Sequence, residues 1–206
     1  MFEFLQQFKK DRPMRIVVNG HPALRKVSSP VGEVTDEVKA LAANLVRSLL
    51  ESEVQGVGLA APQIGVNLRM IALKTTGDDG KSRPGALPGE LLLDPLMPVV
   101  LLNPEIVDHS AETDCVEEGC LSLPGVNGKV TRPVTVVLHA RLLDGQELTA
   151  ECGGLLARCL QHEIDHLDGK LFYDRISPAE QKAADAQMKR LAKREAGLRR
   201  IQPKNS

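Results

Sequence analysis

The residues whose types and spacing could do chemistry lie between Cys159 and Gly169, in the run Cys-Leu-Gln-His-Glu-Ile-Asp-His-Leu-Asp-Gly. His162 and His166 are four residues apart, so on a helix they sit one turn apart on one face. Two imidazoles placed that way can hold a single divalent ion, and Glu163 between them can act as a base on water there. The same short pattern also occurs on helices whose histidines are merely solvated, so the rest of the chain must decide. A catalytic site of this kind takes three protein ligands and keeps one position for water or substrate. Downstream of His166 there is no histidine, and Glu180 and Glu195 fall on a stretch that reads as a solvated helix. The third ligand is therefore expected upstream. Cys120, at the bend of Glu118-Gly119-Cys120-Leu121-Ser122, is the best-placed candidate, although a lone cysteine is as readily a small buried apolar residue.

The elements that must position these groups follow from periodicity. Residues 155–167 read as the helix that carries the motif, ended by Gly169. Leu155, Leu156, Cys159, His162, Glu163 and His166 share one broad face, so the motif is expected to look inward. A helix is also expected from 35 to about 52, with Thr35 as N-cap and Val38, Leu41, Leu45 and Leu49 as its apolar face. Between them, Gly56-Val57-Gly58-Leu59-Ala60-Ala61-Pro62-Gln63-Ile64-Gly65 lacks the third glycine and the Lys-Ser/Thr of a phosphate loop. It is either a tight turn or a loop that offers bare backbone groups and the Gln63 amide to a ligand. Strands are expected at 16–18, 68–73, 99–102 and 135–140, with 106–107 opening another and Asp144-Gly145 marking a turn. Residues 75–98 are punctuated by Gly, Pro and Asp and read as a long surface loop with partial order at 91–93. A polar helix is expected from 178 to about 197, with 1–13 and about 198–206 loosely ordered. The pattern is α+β, in one domain spanning 1–206.

Bulk composition narrows the function classes. The chain has 206 residues, 42% hydrophobic and 26% charged, which is usual for a globular protein with a real core. One Tyr, four Phe and no Trp leave that core to aliphatic side chains. A formal net charge of −1 gives no sign of a nucleic-acid or anionic-membrane surface. No apolar run is long enough for a membrane span, and the N-terminus lacks the order of a secretory signal, so a cytoplasmic protein is expected. In that setting Cys115, Cys120, Cys152 and Cys159 are not expected to form disulfides; Cys115 and Cys152 are expected to be structural.

Three stretches, Gly56 to Gln63, Glu118 to Ser122 and Gln161 to Gly169, closely resemble the three motifs of the peptide deformylases, in that family's order and at comparable spacing. The likeness runs from about 14 to 177. It implies antiparallel sheets packed around a central helix bearing the two histidines, with an N-terminal and a C-terminal helix. It also implies removal of the formyl group from the initiator methionine of newly made bacterial polypeptides, releasing formate. Cys120, His162 and His166 would bind one divalent ion, Fe2+ in the cell, with Zn2+, Ni2+ or Co2+ as alternatives. Hydroxide generated at that ion would attack the formyl carbon, with Glu163 as general acid and base. The Gln63 side-chain amide and the Leu121 N–H would stabilise the oxyanion. Backbone groups of Val57, Gly58 and Gly119 would pair with the substrate, and Val57, Val116, Leu155, Cys159 and the apolar side of His162 would form the methionine pocket.

Two departures bear on that pocket. Arg158 stands where several bacterial members have an apolar pocket residue, and Gly125-Val126-Asn127-Gly128 lacks an arginine that some members use near the substrate backbone. Asp165 is expected to orient an imidazole or to cap its helix. The implied partners are N-formylmethionyl nascent peptides; the C-terminal helix reads first as a solvated helix, with a transient ribosome contact through its basic residues as the alternative, and a monomer is expected. Two other readings stand beside this one. A zinc endopeptidase with a different third ligand would cut unformylated peptides, and a silent peptide-binding homologue would have lost catalytic residues that are present here.

Overall fold

A computed structural model of the protein describes residues 13–76 and 85–201. Nearly all of the expected lead-in, part of the 75–98 loop and residues 202–206 of the expected tail lie outside the described residues. Helix α1 (Asp36–Leu50) starts where Thr35 Oγ1 accepts a hydrogen bond from the Val38 N–H at 3.4 Å, with Asp36 and Glu37 in the first turn. The other helices are α2 (Pro88–Leu93), α3 (Gly154–Leu167) and α4 (Pro178–Ile201). The strands are β1 (Gly58–Ala60), β2 (Met70–Leu73), β3 (Val99–His109), β4 (Thr113–Gly119), β5 (Asn127–Pro133), β6 (Thr135–Arg141) and β7 (Glu147–Gly153).

One antiparallel sheet runs β1-β2-β3-β6-β7, and β4 pairs with β5 in a separate antiparallel hairpin. The sheet separates two apolar layers. Ile71, Leu73 and Leu101 pack with Leu156, Leu160 and Leu167 of α3, while Met70, Ala72, Val100 and Leu102 pack with Leu45 and Leu49 of α1. Alternate residues of β2 thus face opposite layers, which is why all four are buried. The result is the expected α+β fold, antiparallel sheets against a central helix that carries both histidines.

Several expected elements differ in detail. Residues 16–18 form no strand: the Val17 N–H donates to the Gln63 carbonyl at 2.8 Å, a single tie to the chain beside it. The segments 99–102 and 106–107 belong to one strand, β3, whose register shifts twice. Asn103 makes this possible by taking φ of 50°, a conformation asparagine tolerates better than most residues. Its side chain also clamps Val31, accepting from the N–H at 2.7 Å and donating to the carbonyl at 2.9 Å. Within 75–98, α2 and a 3-10 turn at Asp94–Leu96 are ordered. Strands β5 and β7 had no sequence signal. In β5 the inward positions are Gly128, Val130 and Arg132, so the apolar alternation that marks a strand is missing.

Helix α4 is not solvated all round. It runs past 197 to Ile201, and Met188 and Leu191 join Val17, Leu24, Leu123 and Phe172 in a third apolar cluster. Glu195, read as a surface residue, has no exposed area and takes both guanidinium nitrogens of Arg15 at 2.8 and 2.7 Å. The hydrogen bonds from Arg15 hold its carboxyl below the ordinary value of 4.5. Stability from this group is therefore present above that value and lost as pH falls towards the lower folded-state pKa. Glu195→Gln is expected to cost about 1–2 kcal/mol at pH 7. Urea denaturation should show that deficit shrinking towards zero as the carboxylate of the unmodified protein titrates.

Candidate functional site

Helix α3 is preceded by its N-cap Gly153, whose N–H donates to Glu90 Oε1 at 2.6 Å, and is followed, after Asp168, by Gly169, which takes φ of 72°. A side chain on Gly169 would lie 2.9 Å from the Arg25 carbonyl oxygen, so only glycine closes the helix there. This fixes the motif helix between the sheet and the β4–β5 hairpin.

Cys120 follows β4 directly, and its bend carries it over α3. Its Sγ lies 3.3 Å from His166 Nε2, and one ligand atom from each of Cys120, His162 and His166 falls within 4.8 Å of the others. The two rings are 5.1 Å apart at 75°. Metal bonds of about 2.3 Å to sulfur and 2.0–2.1 Å to nitrogen, at tetrahedral angles, place ligand atoms roughly 3.4–3.6 Å apart. The Cys120–His166 spacing is close to that, so the donor set fits one divalent ion. Burial, helped by the charge of Arg132, keeps His166 well below the ordinary imidazole range, in the neutral form that a metal ligand requires.

His162 is oriented from behind. Its Nδ1 donates to Glu118 Oε2 at 2.9 Å, leaving Nε2 to ligate. Glu118 is itself held by Arg132, at 2.6 and 2.9 Å, and by Arg158 at 2.7 Å. Burial alone would raise the Glu118 pKa, but the hydrogen bonds from His162 and Arg132 outweigh it and keep the carboxylate charged. Arg132 Nη1 reaches Asp165 at 2.9 Å, and Asp165 takes Arg175 at 2.6 and 2.5 Å. Asp165 thus neither touches an imidazole nor caps α3 through its side chain; it anchors the arginine that anchors Glu118. The ring of Phe172 stacks 6.1 Å from His162 and closes its other side.

Glu163 is 4% exposed, and its Oε2 has no partner among the described residues. Burial pushes its pKa up to about 7, against the pull of His162 and Arg132. Gln63 is equally enclosed. Its Oε1 accepts the Ala60 N–H at 2.8 Å, and this fixes Nε2 towards Ser122 Oγ at 3.3 Å and Cys120 Sγ at 3.5 Å. The Leu121 N–H enters no hydrogen bond among the described residues.

Glu118, Cys120, Leu121, Gln63, His162 and Glu163 border one cavity of about 430 Å³, framed by β1, β4, the 119–127 turn and α3, while buried His166 lies outside its lining. Of the residues singled out in the sequence, Val57, Gly58, Gln63, Gly119, Cys120, Leu121, Leu155, Cys159, His162 and Glu163 line it. Val116 is 43% exposed on β4 and is not among the residues that border this cavity. Cys115 is exposed rather than packed, whereas Cys152 is buried and its thiol is pushed up to about 12 by desolvation. Arg132 and the supporting role of Glu118 were not seen in the sequence. Glu118 was visible beside Cys120 in the motif, but nothing local marks Arg132.

The backbone at Gly58 passes against the chemical groups. A Cβ there would lie 2.6 Å from both Cys159 Sγ and Glu163 Oε1, which is closer than such atoms approach. Gly58→Ala is therefore expected to displace Glu163 and lower kcat/KM on the order of 30-fold, with the bound metal retained. Steady-state kinetics beside metal analysis would check this.

Converging soft and imidazole donors, a buried glutamate next to them and an open strand edge are the parts of a metallohydrolase. Residues 13–182 match the polypeptide deformylase family, and the chain belongs to the peptide deformylases. It is 42% identical over 164 residues to peptide deformylase 2 of Gloeobacter violaceus, covering 80% of this chain and 79% of that one. It is 41% identical to the peptide deformylase of Natranaerobius thermophilus, covering 78% and 90%. A plant peptide deformylase superposes with a TM-score of 0.76 at 29% identity, over 89% of this chain and 91% of that one. One from Legionella pneumophila gives 0.73 at 33% identity, over 93% and 100%. None of the described helices is long and apolar enough to cross a membrane.

Proposed function

We propose that this protein removes the formyl group from N-formylmethionyl peptides, releasing formate and a free amino terminus, in the maturation of newly made polypeptides. The observation that carries the reading is the convergence of Cys120, His162 and His166 beside buried Glu163, with Cys120, His162 and Glu163 lining a cavity of about 430 Å³. Cys120, His162 and His166 would hold the metal, Fe2+ by family resemblance, with Zn2+, Ni2+ or Co2+ able to replace it. A divalent ion bound there supplies Lewis acidity, lowering the pKa of water and polarising the formyl carbonyl.

The chain's own residues do the rest. Glu163 Oε2, without a hydrogen-bond partner among the described residues, accepts a proton from the attacking water and returns it to the departing amine nitrogen. A carboxyl whose pKa is near neutrality suits both transfers. Gln63 Nε2 and the Leu121 N–H donate to the formyl oxygen as it gains charge. Because Gln63 Oε1 is already committed to the Ala60 N–H, the amide is held in place before substrate arrives. Backbone groups of Val57 and Gly58 on one side, and Gly119 on the other, pair with the peptide as an added strand. The cavity walls at Leu155, Cys159 and Val57 receive the methionine side chain.

Formate release from a formyl-Met peptide by Fe2+-loaded protein, without oxygen, tests the reading. Protein shown to hold one metal per chain that releases no formate would overturn it. Cleavage of unformylated peptides by the same preparation would support the endopeptidase reading instead.

A further inference from the structure

The segment from Arg15 to Asn19 forms no strand, yet three successive N–H groups in it are committed to three different parts of the molecule. The Val17 N–H donates to the Gln63 carbonyl at 2.8 Å, and the Asn19 N–H donates to the Ser122 carbonyl at 3.0 Å. The Val18 N–H between them donates to Glu195 Oε2 at 3.4 Å. The segment thus bridges the two turns that carry Gln63 and Leu121. Gln63 stands in a 3-10 turn (Ala61–Ile64) and Leu121 in the turn after β4, so neither belongs to a strand that would hold it. The two turns also meet through side chains, since Ser122 Oγ accepts from Gln63 Nε2 at 3.3 Å. Both residues are buried, so a shift of one carries the other.

Helix α4 pins the segment from behind. Arg15 grips Glu195 with two nitrogens, and Asn19 Nδ2 donates to the Met188 carbonyl at 3.0 Å. Val17 and Val18 pack with Met188 and Leu191. A Cβ on Gly20, which takes φ of 100°, would lie 2.7 Å from Ala192 Cα, so the chain passes directly against the helix. Neither Asn19 nor Met188 borders the cavity.

We propose that Asn19 is a positioning residue for the stabilisation of the oxyanion: by locking this segment to α4 it fixes the placement of the Gln63 amide and of the Leu121 N–H. This rests on the deformylase reading. Donors that meet a charge as it forms must be in place beforehand, and a donor held off its mark loses stabilisation of the transition state rather than binding of the substrate. The Asn19 side chain is the removable part of the brace, because the backbone donors at 17 and 19 belong to any residue except proline.

The test compares the unmodified protein, Asn19→Ala and Asn19→Asp, the last keeping the shape of the side chain without its N–H donor. Loss of a whole oxyanion donor lowers kcat about 10²–10³-fold, so displacing one is expected to lower kcat for a formyl-Met peptide about tenfold in both variants. KM should stay within about twofold, as expected for an interaction made only in the transition state. In a Gln63→Ala background the Asn19→Ala step should shrink to about threefold or less, since the two residues act through one group. Nuclear magnetic resonance of the metal-free proteins reads the brace without turnover. The Val17 and Asn19 amides of the unmodified protein should exchange at least about a hundredfold more slowly than those of an unstructured chain. The Gln63 side-chain amide signal, assigned by its absence from Gln63→Ala, should move in Asn19→Ala. The proposal is overturned if the Val17 and Asn19 amides exchange freely, a result that needs no variant to fold. It is also overturned if either folded variant keeps its kcat, if the Gln63 signal stays in place, or if the loss is undiminished in the Gln63→Ala background. Absence of turnover by metal-loaded unmodified protein would instead count against the deformylase reading, while the resonance measurements would still decide the role of Asn19.

Discussion

Glu163→Ala is expected to keep its metal and fold but to release formate about 10³-fold more slowly, within the usual range of about 10²–10⁴ for a lost general base. The carboxyl is buried, has an oxygen without a partner among the described residues and borders the cavity, so it is placed to exchange protons with whatever occupies the site. Removing it opens space beside Gly58 without breaking any hydrogen bond to Oε2, so little structural penalty is expected. Glu163→Gln separates shape from proton transfer: it fills the same volume yet cannot accept the proton, and it should be as slow as the alanine variant. Single-turnover kinetics with metal analysis on each protein reads this. A glutamine variant with more than a tenth of the original rate would show that the proton goes elsewhere.

Glu118→Ala is expected to act on metal retention and on stability together. The carboxylate receives hydrogen bonds from His162, Arg132 and Arg158, so its loss frees the ring of a candidate metal ligand and takes an acceptor from two guanidinium groups. Loss of a group that orients a metal-binding histidine typically costs about 10–100-fold in metal affinity. Arg132, with a side chain only 2% exposed, would keep Asp165 alone, and breaking such a buried pair costs on the order of 3–5 kcal/mol. Glu118→Gln should fall between, since its carbonyl oxygen can still accept while its NH₂ opposes a donor. Competition with a chromogenic chelator and denaturation of the metal-free proteins separate the two effects. Unchanged metal affinity in Glu118→Ala would mean that packing against Phe172 alone orients His162.

The chemistry-bearing helix was legible because its signal is local: two histidines four apart, apolar neighbours at helical spacing and a closing glycine. The third ligand was not legible in the same way. Contact between Cys120 and His166 is tertiary, and the residues alone left Cys120 open until the motifs were seen together. Arg132 was hidden because β5 turns a charged side chain inward, so no apolar alternation betrays the strand. Helix α4 misled for a related reason. Its buried stripe is narrow, Met188 and Leu191 with a carboxylate at 195, and a charge that is buried against Arg15 looks in sequence like a charge in water. Strand β3 was divided because Asn103-Pro104 reads as a terminator, although the Asn103 backbone lets the strand continue through a shift in register.

Strand β1 ends the five-stranded sheet and is three residues long. Unprotected sheet edges invite other chains to join them, and copies of the same protein are the commonest neighbours in a concentrated solution. Here the edge is three residues long, and Pro62 lies just beyond its end, where a continuing ladder would need another N–H donor. A flexible peptide needs only two or three hydrogen bonds if the cleft also anchors its first side chain. A rigid sheet edge has no such anchor to offer. On the proposed reading, the brevity of β1 limits the ladder a peptide can form there, so the anchoring of its first side chain must supply much of the hold.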